Sequence, residues 1–447
     1  MKTSRQQLAI LLIASILVLG SLACKLTSPP SAPLTGRTAS LPDSAVLAQA
    51  ITGQITVGQV TGFANEYNYW YVHGLVRNDT NQAVTNIRIE VRLTDASGSV
   101  LYSEATYSSI AALAPGEVSP FSFYSAERLS GVASLDATVT SFNATRLERA
   151  AVDISGVTIW YDETYNDIYL AGNLTNPTDR PVTVKGLAGT LADASGALVT
   201  ADTAYPLVGY LHPGLSAPFA IRFEAPPGQG ASLTDYQFYL DARFTDPASY
   251  PNVTVIPQHF DTLDTLQDFH LVSSFTNNSP DTVTGRLIAG LYDEAGNCID
   301  VAALYLPIAI PPGGTIPYDF DSWNTLNTIP EAYEAASYYE IFIDWSATRE
   351  AYTYPVQIAT RADANTFDGY RVTYTGEVVN SSAQELESAT VIISMLDITS
   401  RQVIATDFSY VTGPIPIAGA LPYAVYLYPP RDFDPASVEV TISAYGQ

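Results

Sequence analysis

Cysteine is nearly absent: the 447 residues contain two, Cys24 and Cys298. A disulfide framework is thereby excluded, and neither has the Cys-x2-Cys or His-x3-His companions of a zinc site. Positive charge is also scarce. Lys and Arg number 20 against 45 Asp and Glu, a formal net charge of −25, and no basic run follows residue 37. Such a chain repels nucleic acid, which is therefore not an expected partner. The four histidines, His73, His212, His259 and His270, are scattered. No Walker loop, Gly-x-Ser-x-Gly elbow or Rossmann fingerprint occurs, so no motif points to catalysis and the chain is expected not to be an enzyme. After the first 24 residues no apolar run approaches the ~20 residues needed to span a bilayer.

What is present begins with "MKTSRQQLAILLIASILVLGSLAC": Lys2 and Arg5, an apolar run from Leu8 to Leu19, then small residues up to Cys24. This is the pattern of a secretory signal. Leu22-Ala23-Cys24 resembles the bacterial lipobox, which implies that Cys24 is lipidated and becomes the new N-terminus. The following stretch to Ala50 is rich in Ser, Thr, Pro and Ala without sustained periodicity and reads as a flexible tether. The body is expected on the extracytoplasmic face of the cell membrane, held there by lipid.

From residue 51 the chain repeats itself. "LAPGEVSPF" at Leu113–Phe121 returns as "LHPGLSAPF" at Leu211–Phe219. Around these loops lies a longer frame that occurs four times. An Asn ends an early strand at Asn78, Asn176, Asn277 and Asn380; an Asp closes an apolar strand at Asp95, Asp193, Asp293 and Asp397. A proline precedes an aromatic at Pro120, Pro218, Pro317 and Pro422, and a further aromatic lies near each end at Phe142, Phe244, Trp345 and Tyr445. Within a copy apolar residues alternate, as with Ile87, Ile89, Val91 and Leu93 against Arg88, Glu90 and Arg92, the mark of a half-buried strand. Leu187, Gly189 and Leu191, and Val391, Ile393 and Met395, fill the same inward positions. Pro-Gly between two strands lets the chain cross from one sheet toward the other. The fourth loop, "IPIAGALPY", lacks Pro-Gly, so a differently shaped corner is expected there.

Six or seven short strands per ~100 residues predict an immunoglobulin-like β-sandwich. The order Gly, strand, Asn, strand, Leu-x-Asp, Gly turn and Pro-Gly loop, with "AGLYDEAG" in the third copy, resembles the FxLYD-type domains of bacterial envelope and secreted proteins. That resemblance implies a structural motif without catalytic residues. The expected organisation is all-β: residues 1–23 signal peptide, 24–50 tether, and four sandwiches at 51–148, 149–249, 250–352 and 353–447.

Three features invite a chemical reading. The Asp-Gly turns offer too few carboxylates for calcium, which needs six or more oxygens; a backbone-capping turn is the simpler account. Calcium remains the one cofactor to consider, at "FDTLDTLQDF" (Asp261, Asp264, Asp268) and at "DANTFDG" (Asp363, Asn365, Asp368). Cys298 follows a Gly-Asn turn and reads as a buried small residue. The 29 tyrosines cluster in "NEYNYWYVHG" and "EAASYYEIFIDW", residues favoured in strands that can also stack on sugars. The function expected is a scaffold or adhesion protein binding an extracellular protein or glycan; the alternative is a carbohydrate-binding surface protein. Short junctions suggest that at least some of Phe142, Phe244 and Trp345 bridge neighbouring domains, a role closed to Tyr445.

Overall fold

The computed structural model describes residues 53–246, 253–264, 268–326, 328–344, 356–431 and 434–446. Cys24, the signal, the tether and Trp345 lie outside the described residues. The described residues belong to one compact unit, Ile51–Gln447, built almost wholly of antiparallel strands.

The first copy contains β1 (Ile55–Ala64), β2 (Trp70–Asn78), β3 (Val84–Thr94), β4 (Val100–Tyr107), β5 (Ala112–Leu113), β6 (Val118–Tyr124) and β7 (Ser134–Ala144). One sheet has the order β1-β2-β6; in the other, β3 pairs with β7 on one side and with β4 and then β5 on the other. Side chains alternate between faces in a strand, and Ile87, Ile89, Val91 and Leu93 all turn inward with no exposed surface.

The same pairing recurs. The second copy has β8 (Asp153–Asp162), β9 (Asp167–Thr175), β10 (Val182–Ala192), β11 (Leu198–Thr203), β12 (Tyr210–Leu211), β13 (Ser216–Glu224) and β14 (Asp235–Phe244). The third has β15 (Val253–Leu263), β16 (Phe269–Asn277), β17 (Arg286–Tyr292), β18 (Cys298–Tyr305), β19 (Thr315–Phe320), a short helix α1 (Pro330–Ala335) and β20 (Tyr338–Asp344). The fourth has β21 (Val356–Phe367), β22 (Val372–Val379), β23 (Leu386–Asp397), β24 (Val403–Ile415), β25 (Ala420–Leu427) and β26 (Val438–Gly446). There β21 pairs with both β22 and β26, so the two sheets run into one.

The repeated Asn holds each sandwich closed. Asn78 is fully buried; its amide nitrogen donates to the Gln82 carbonyl at 2.8 Å and to the Leu113 carbonyl at 2.9 Å. Its side-chain oxygen accepts from the Thr80 backbone at 3.0 Å and hydroxyl at 2.7 Å. Its own backbone closes on the Pro-Gly loop, N–H to the Glu117 carbonyl and carbonyl from the Gly116 N–H. Asn176, Asn277 and Asn380 repeat every one of these bonds, reaching carbonyls of Leu211, Ile310 and Ile415 that lie 33 to 35 residues ahead. Each amide thus ties the end of a strand in one sheet to the end of a strand line in the other. Buried carbonyls are costly without a donor, and the Asn supplies two.

The fourth corner has the same shape as the others, contrary to expectation. Gly116, Gly214 and Gly313 adopt φ of 84°, 73° and 74°, and Ala418 takes φ 61° in the equivalent place. Its N–H donates to the Asn380 carbonyl, as the three glycines do to theirs. The loop is dictated by the Asn it closes on, and that demand outweighs the steric cost of a left-handed alanine, about 1–2 kcal/mol.

Neighbouring copies pack sheet face against sheet face. The outward residues Glu90 and Arg92 of β3 are half-buried and exposed, but the matching positions are buried in later copies: Ala188 and Thr190, Ile288 and Gly290, Ile392 and Ser394. Only the first copy has the half-buried strand that alternation predicts. Ala188 and Tyr239 join the apolar core of the first copy; Ile288, Tyr292, Cys298 and Val301 join that of the second; Ile392 and Phe408 join that of the third. In every case the β2-like sheet of one copy is covered by the β3-like sheet of the next. Among the described residues nothing covers the last such face, where Thr375, Pro422 and Tyr426 are exposed and Glu377 partly so.

The described end aromatics do not divide as expected. Phe142 packs into the first core and Phe244 into the second, beneath the Arg180 guanidinium at 4.0 Å. Tyr445, expected to serve no junction, packs against the cluster that joins Ile392 to the third core. Sheet faces carry the joints, and of the described strand-end rings Tyr445 is the one that packs at a joint.

Two substitutions test the corner. Ala418→Gly should raise stability in urea denaturation by up to ~1 kcal/mol, while Gly214→Ala should lower it by about 1–2 kcal/mol. Asn176→Ala should cost more, about 2–4 kcal/mol, because two buried carbonyls lose their donor.

Candidate functional site

The residues singled out by the repeat are structural and far apart in sequence, one set per sandwich. Asp95 accepts from the Ser97 and Ser99 N–H groups at 2.8 and 2.9 Å, and Asp193 from those of Ser195 and Ala197 at 2.8 and 3.1 Å. Asp293 and Asp397 cap their turns alike. These bonds hold all four carboxyls below the usual range; the largest contribution comes from the Ser97, Ser195 and Asn297 side chains and the Ser400 backbone in turn. Pro120, Pro218, Pro317 and Pro422 lie on β6, β13, β19 and β25, each at the edge of its sheet, where a missing N–H is tolerated. Pro120 and Pro218 are buried by the next copy and Pro317 partly so, whereas Pro422 is exposed.

The candidate calcium loops do not assemble as ion sites. Asp363 accepts from the Tyr423 hydroxyl at 2.7 Å, while Asp368 caps the turn before Arg371. The Asp261 side chain lies outside the described residues; Asp264 Oδ1 accepts from the Asp268 N–H at 2.9 Å. Among the described residues no group of three or more His, Cys, Asp or Glu is placed to hold a metal ion. Cys298 is buried at the second joint, and burial raises its thiol well above the usual value.

Each joint instead centres on a cation among carboxylates. At the first, Arg149 donates to the Ala112 carbonyl at 2.6 Å and to Glu117 at 2.7 Å, and pairs with the fully buried Asp241. At the second, Arg286 donates to the Leu207 carbonyl at 2.6 Å and to Asp344 at 2.7 Å; Asp344 also accepts from the Gly209 N–H at 3.0 Å. The third joint is the most elaborate. His270 Nδ1 lies 3.0 and 2.9 Å from the two oxygens of Asp319, and Nε2 lies 3.7 Å from Asp264. A cavity of about 220 Å³ opens beside this pair, lined also by Asp321, Asp407, Phe408, Tyr426 and Tyr428.

Burial alone would lower the His270 pKa, but the hydrogen bond and charge of Asp319, with Asp321 and Asp264, carry it up to about 9. At neutral pH the ring is therefore a cation with no lone pair to take a proton. Burial, with Asp321 and Asp319, raises the Asp407 carboxyl to about 6. Asp268 is raised too, by burial and by Asp264. The arrangement is an ion pair within the third copy, with Asp407 of the fourth lining the same cavity.

His73 is its opposite. It lies on β2 under the second copy, 2% exposed, where the Ala201 N–H points at Nδ1 from 3.3 Å and Ser122 Oγ lies 3.1 Å away. A backbone N–H only donates, so Nδ1 accepts and the ring is neutral. Burial holds its pKa down at about 4.

The sequence singled out His270, Asp264 and Asp268 separately but gave no sign of Asp319 and Asp407, which arrive from β19 and β24. Of the tyrosine rows, that of the first copy is largely self-stacked: Tyr69 on Tyr124 at 5.4 Å, Phe63 on Tyr71 at 5.4 Å, with Arg128 over Tyr69 at 5.6 Å. Those contacts occupy ring faces that a sugar would need.

No family model matches the sequence, and no curated protein matches it. Among solved structures, the chain is similar to Escherichia coli alpha-2-macroglobulin activated by porcine elastase, at 11% identity over 88% of this chain and 43% of that one, with a TM-score of 0.13. It is also similar to trypsin-activated alpha-2-macroglobulin from Escherichia coli, at 9% identity over 88% and 30% of the two chains, with a TM-score of 0.13. The chain spans less than half the length of either.

The two histidines predict opposite pH responses. His73 has its folded pKa depressed, so its contribution is complete above the unfolded value of about 6.5 and is lost as pH falls toward about 4. The loss amounts to ~3 kcal/mol. His270 has its pKa raised, so its contribution is complete below about 6.5 and is lost as pH rises through about 9. Asp407, raised to about 6, adds stability as pH falls below that value. In urea denaturation His73→Gln should flatten the profile between about pH 4 and 6.5, and His270→Gln between about pH 6.5 and 9.

Proposed function

We propose that the chain is a non-enzymatic envelope lipoprotein, anchored through lipid on Cys24, whose four sandwiches form a stiff scaffold that presents binding surface to a protein or glycan outside the cell. The observation that carries the scaffold reading is the burial of one sheet face at each of three joints by the next copy. A face-to-face joint fixes both translation and rotation between domains, which a strand-end joint through a flexible linker does not. At the first two joints a cation bonds across to the neighbouring copy, Arg149 to Glu117 and Arg286 to the Leu207 carbonyl. The apolar run at Leu8–Leu19, the lipobox-like Leu22-Ala23-Cys24 and the Ser/Pro-rich segment to Ala50 support export and anchoring. Two acyl chains or more are what stable attachment requires, and lipidation at an N-terminal Cys supplies them.

Cys24→Ala should move the protein from the membrane fraction to the soluble extracytoplasmic fraction without altering its denaturation midpoint. Retention of the variant in the membrane fraction would show that something other than lipid on Cys24 holds it there.

A further inference from the structure

The third copy departs from the repeat in one place. The connection between the β6-like and β7-like strands is nine or ten residues in the other copies, at 125–133, 225–234 and 428–437, but seventeen in the third, at 321–337. The extra length is firmly built. Asp300, 1% exposed, accepts from the N–H groups of Thr325 and Leu326 at 2.6 and 3.2 Å, from the Thr325 hydroxyl at 2.9 Å and from Asn324 Nδ2 at 3.3 Å. Trp323 donates its indole N–H to the Phe320 carbonyl at 3.0 Å. A buried carboxylate is costly unless its oxygens are filled by donors, and here the inserted loop provides them.

The insertion, with α1, opens a groove of about 460 Å³ at one end of the third sandwich. Leu271 and Leu291 form its floor. Tyr333 and Tyr338 stand at its sides, 38% and 44% exposed. Each ring is steadied by a buried aromatic: Tyr333 meets the edge of Phe269 at 5.8 Å, and Tyr338 stacks on Tyr292 at 5.1 Å. The one charged residue of the lining is Glu334.

Elsewhere this protein covers its aromatic rings with arginine. Arg128 lies over Tyr69, Arg180 over Phe244, Arg222 over Tyr169, Arg286 over Tyr205 and Tyr305, and Arg371 over Tyr370 and Tyr426. Among the described residues no such pair falls in the groove, although two tyrosine faces and a carboxylate stand ready for one.

We propose that this groove docks an extended, arginine-bearing peptide segment of a partner protein. The guanidinium lies over a tyrosine ring and pairs with Glu334, its aliphatic stem lies on the leucine floor, and extended backbone fits between aromatic walls. The excess of acidic residues over the whole chain draws such a segment in and turns acidic ones away. The proposal rests on the binding half of the function proposed above but not on its anchoring half, because it concerns the purified chain.

The test is fluorescence anisotropy of labelled peptides of alternating proline and arginine, proline and glutamine, or proline and glutamate, titrated with the full-length protein at physiological ionic strength. The arginine peptide should bind saturably and the glutamine peptide about tenfold more weakly. Tyr338→Ala should weaken the arginine peptide about tenfold and Glu334→Gln about threefold, whereas Glu104→Gln, on the first copy, should leave it unchanged. Absence of saturable binding would overturn the proposal. So would equal binding of the glutamine peptide, or affinity that ignores both groove variants and so reflects diffuse attraction to an acidic chain. Binding of a neutral oligosaccharide such as cellohexaose in place of the peptides, lost in Tyr338→Ala, would assign the groove to a glycan. Glu334→Gln is a surface exchange and keeps the test decisive if Tyr338→Ala fails to fold.

Discussion

A primary amide in a dry place is the interaction on which the rest depends. Asn78 and its three counterparts each offer two N–H donors and one acceptor in a fixed plane, and the sandwich uses all of them. No other side chain of that length does both. Aspartate would set negative oxygens against two carbonyls, and leucine would leave those carbonyls bare. Because the amide reaches carbonyls 33 to 35 residues ahead, it fixes the separation of the two sheets at one end, and the Pro-Gly corner is folded around it. That explains why the corner persists in the fourth copy after its glycine has become Ala418: the Asn380 carbonyl still requires a donor from that position.

With every sandwich closed in the same way, the copies differ in what they place on their outer faces. At one outward position Glu90 of the first becomes Ala188, Ile288 and Ile392, and at the next Arg92 becomes Thr190, Gly290 and Ser394. This exchange of charge for small or apolar residues turns one solvent face into three interior ones. Polar groups at the joints are then paired because water is excluded from them. Arg149 meets Glu117 from across a junction, while Arg286 and His270 meet carboxylates of their own copy beside one. Buried charges of this kind add specificity of register more than stability.

The all-β architecture and the fourfold frame were legible in the sequence because they rest on local rules: period-two alternation around Ile87–Leu93, Asp-Gly turns, and proline before an aromatic. The Asn positions were legible as landmarks but not as clips, since their partners sit more than thirty residues away. Face-to-face packing was readable in principle from Ile288 and Ile392, apolar residues at the position where the first copy carries Glu90. The cluster around His270 was not readable: Asp319 and Asp407 lie 49 and 137 positions further along, on strands whose outward faces are fixed only once the chain has folded. The end aromatics misled for the same reason, because nearness to a junction in sequence is not nearness to it in space.

The clip has a consequence for how the chain can be made. Its side-chain oxygen is met by a Thr or Ser two residues on, so Asn78-Asp79-Thr80, Asn277-Asn278-Ser279 and Asn380-Ser381-Ser382 all spell the acceptor sequence for N-linked glycosylation. Only the second copy escapes, with Pro177 in the middle position. A bacterial export route does not ordinarily read these tripeptides, but the eukaryotic secretory pathway does, and it acts on the chain before folding hides the amide. An oligosaccharide on any of the three nitrogens would occupy the donor that closes a sandwich, so the residues that stabilise this fold in one kind of cell would prevent it from forming in another.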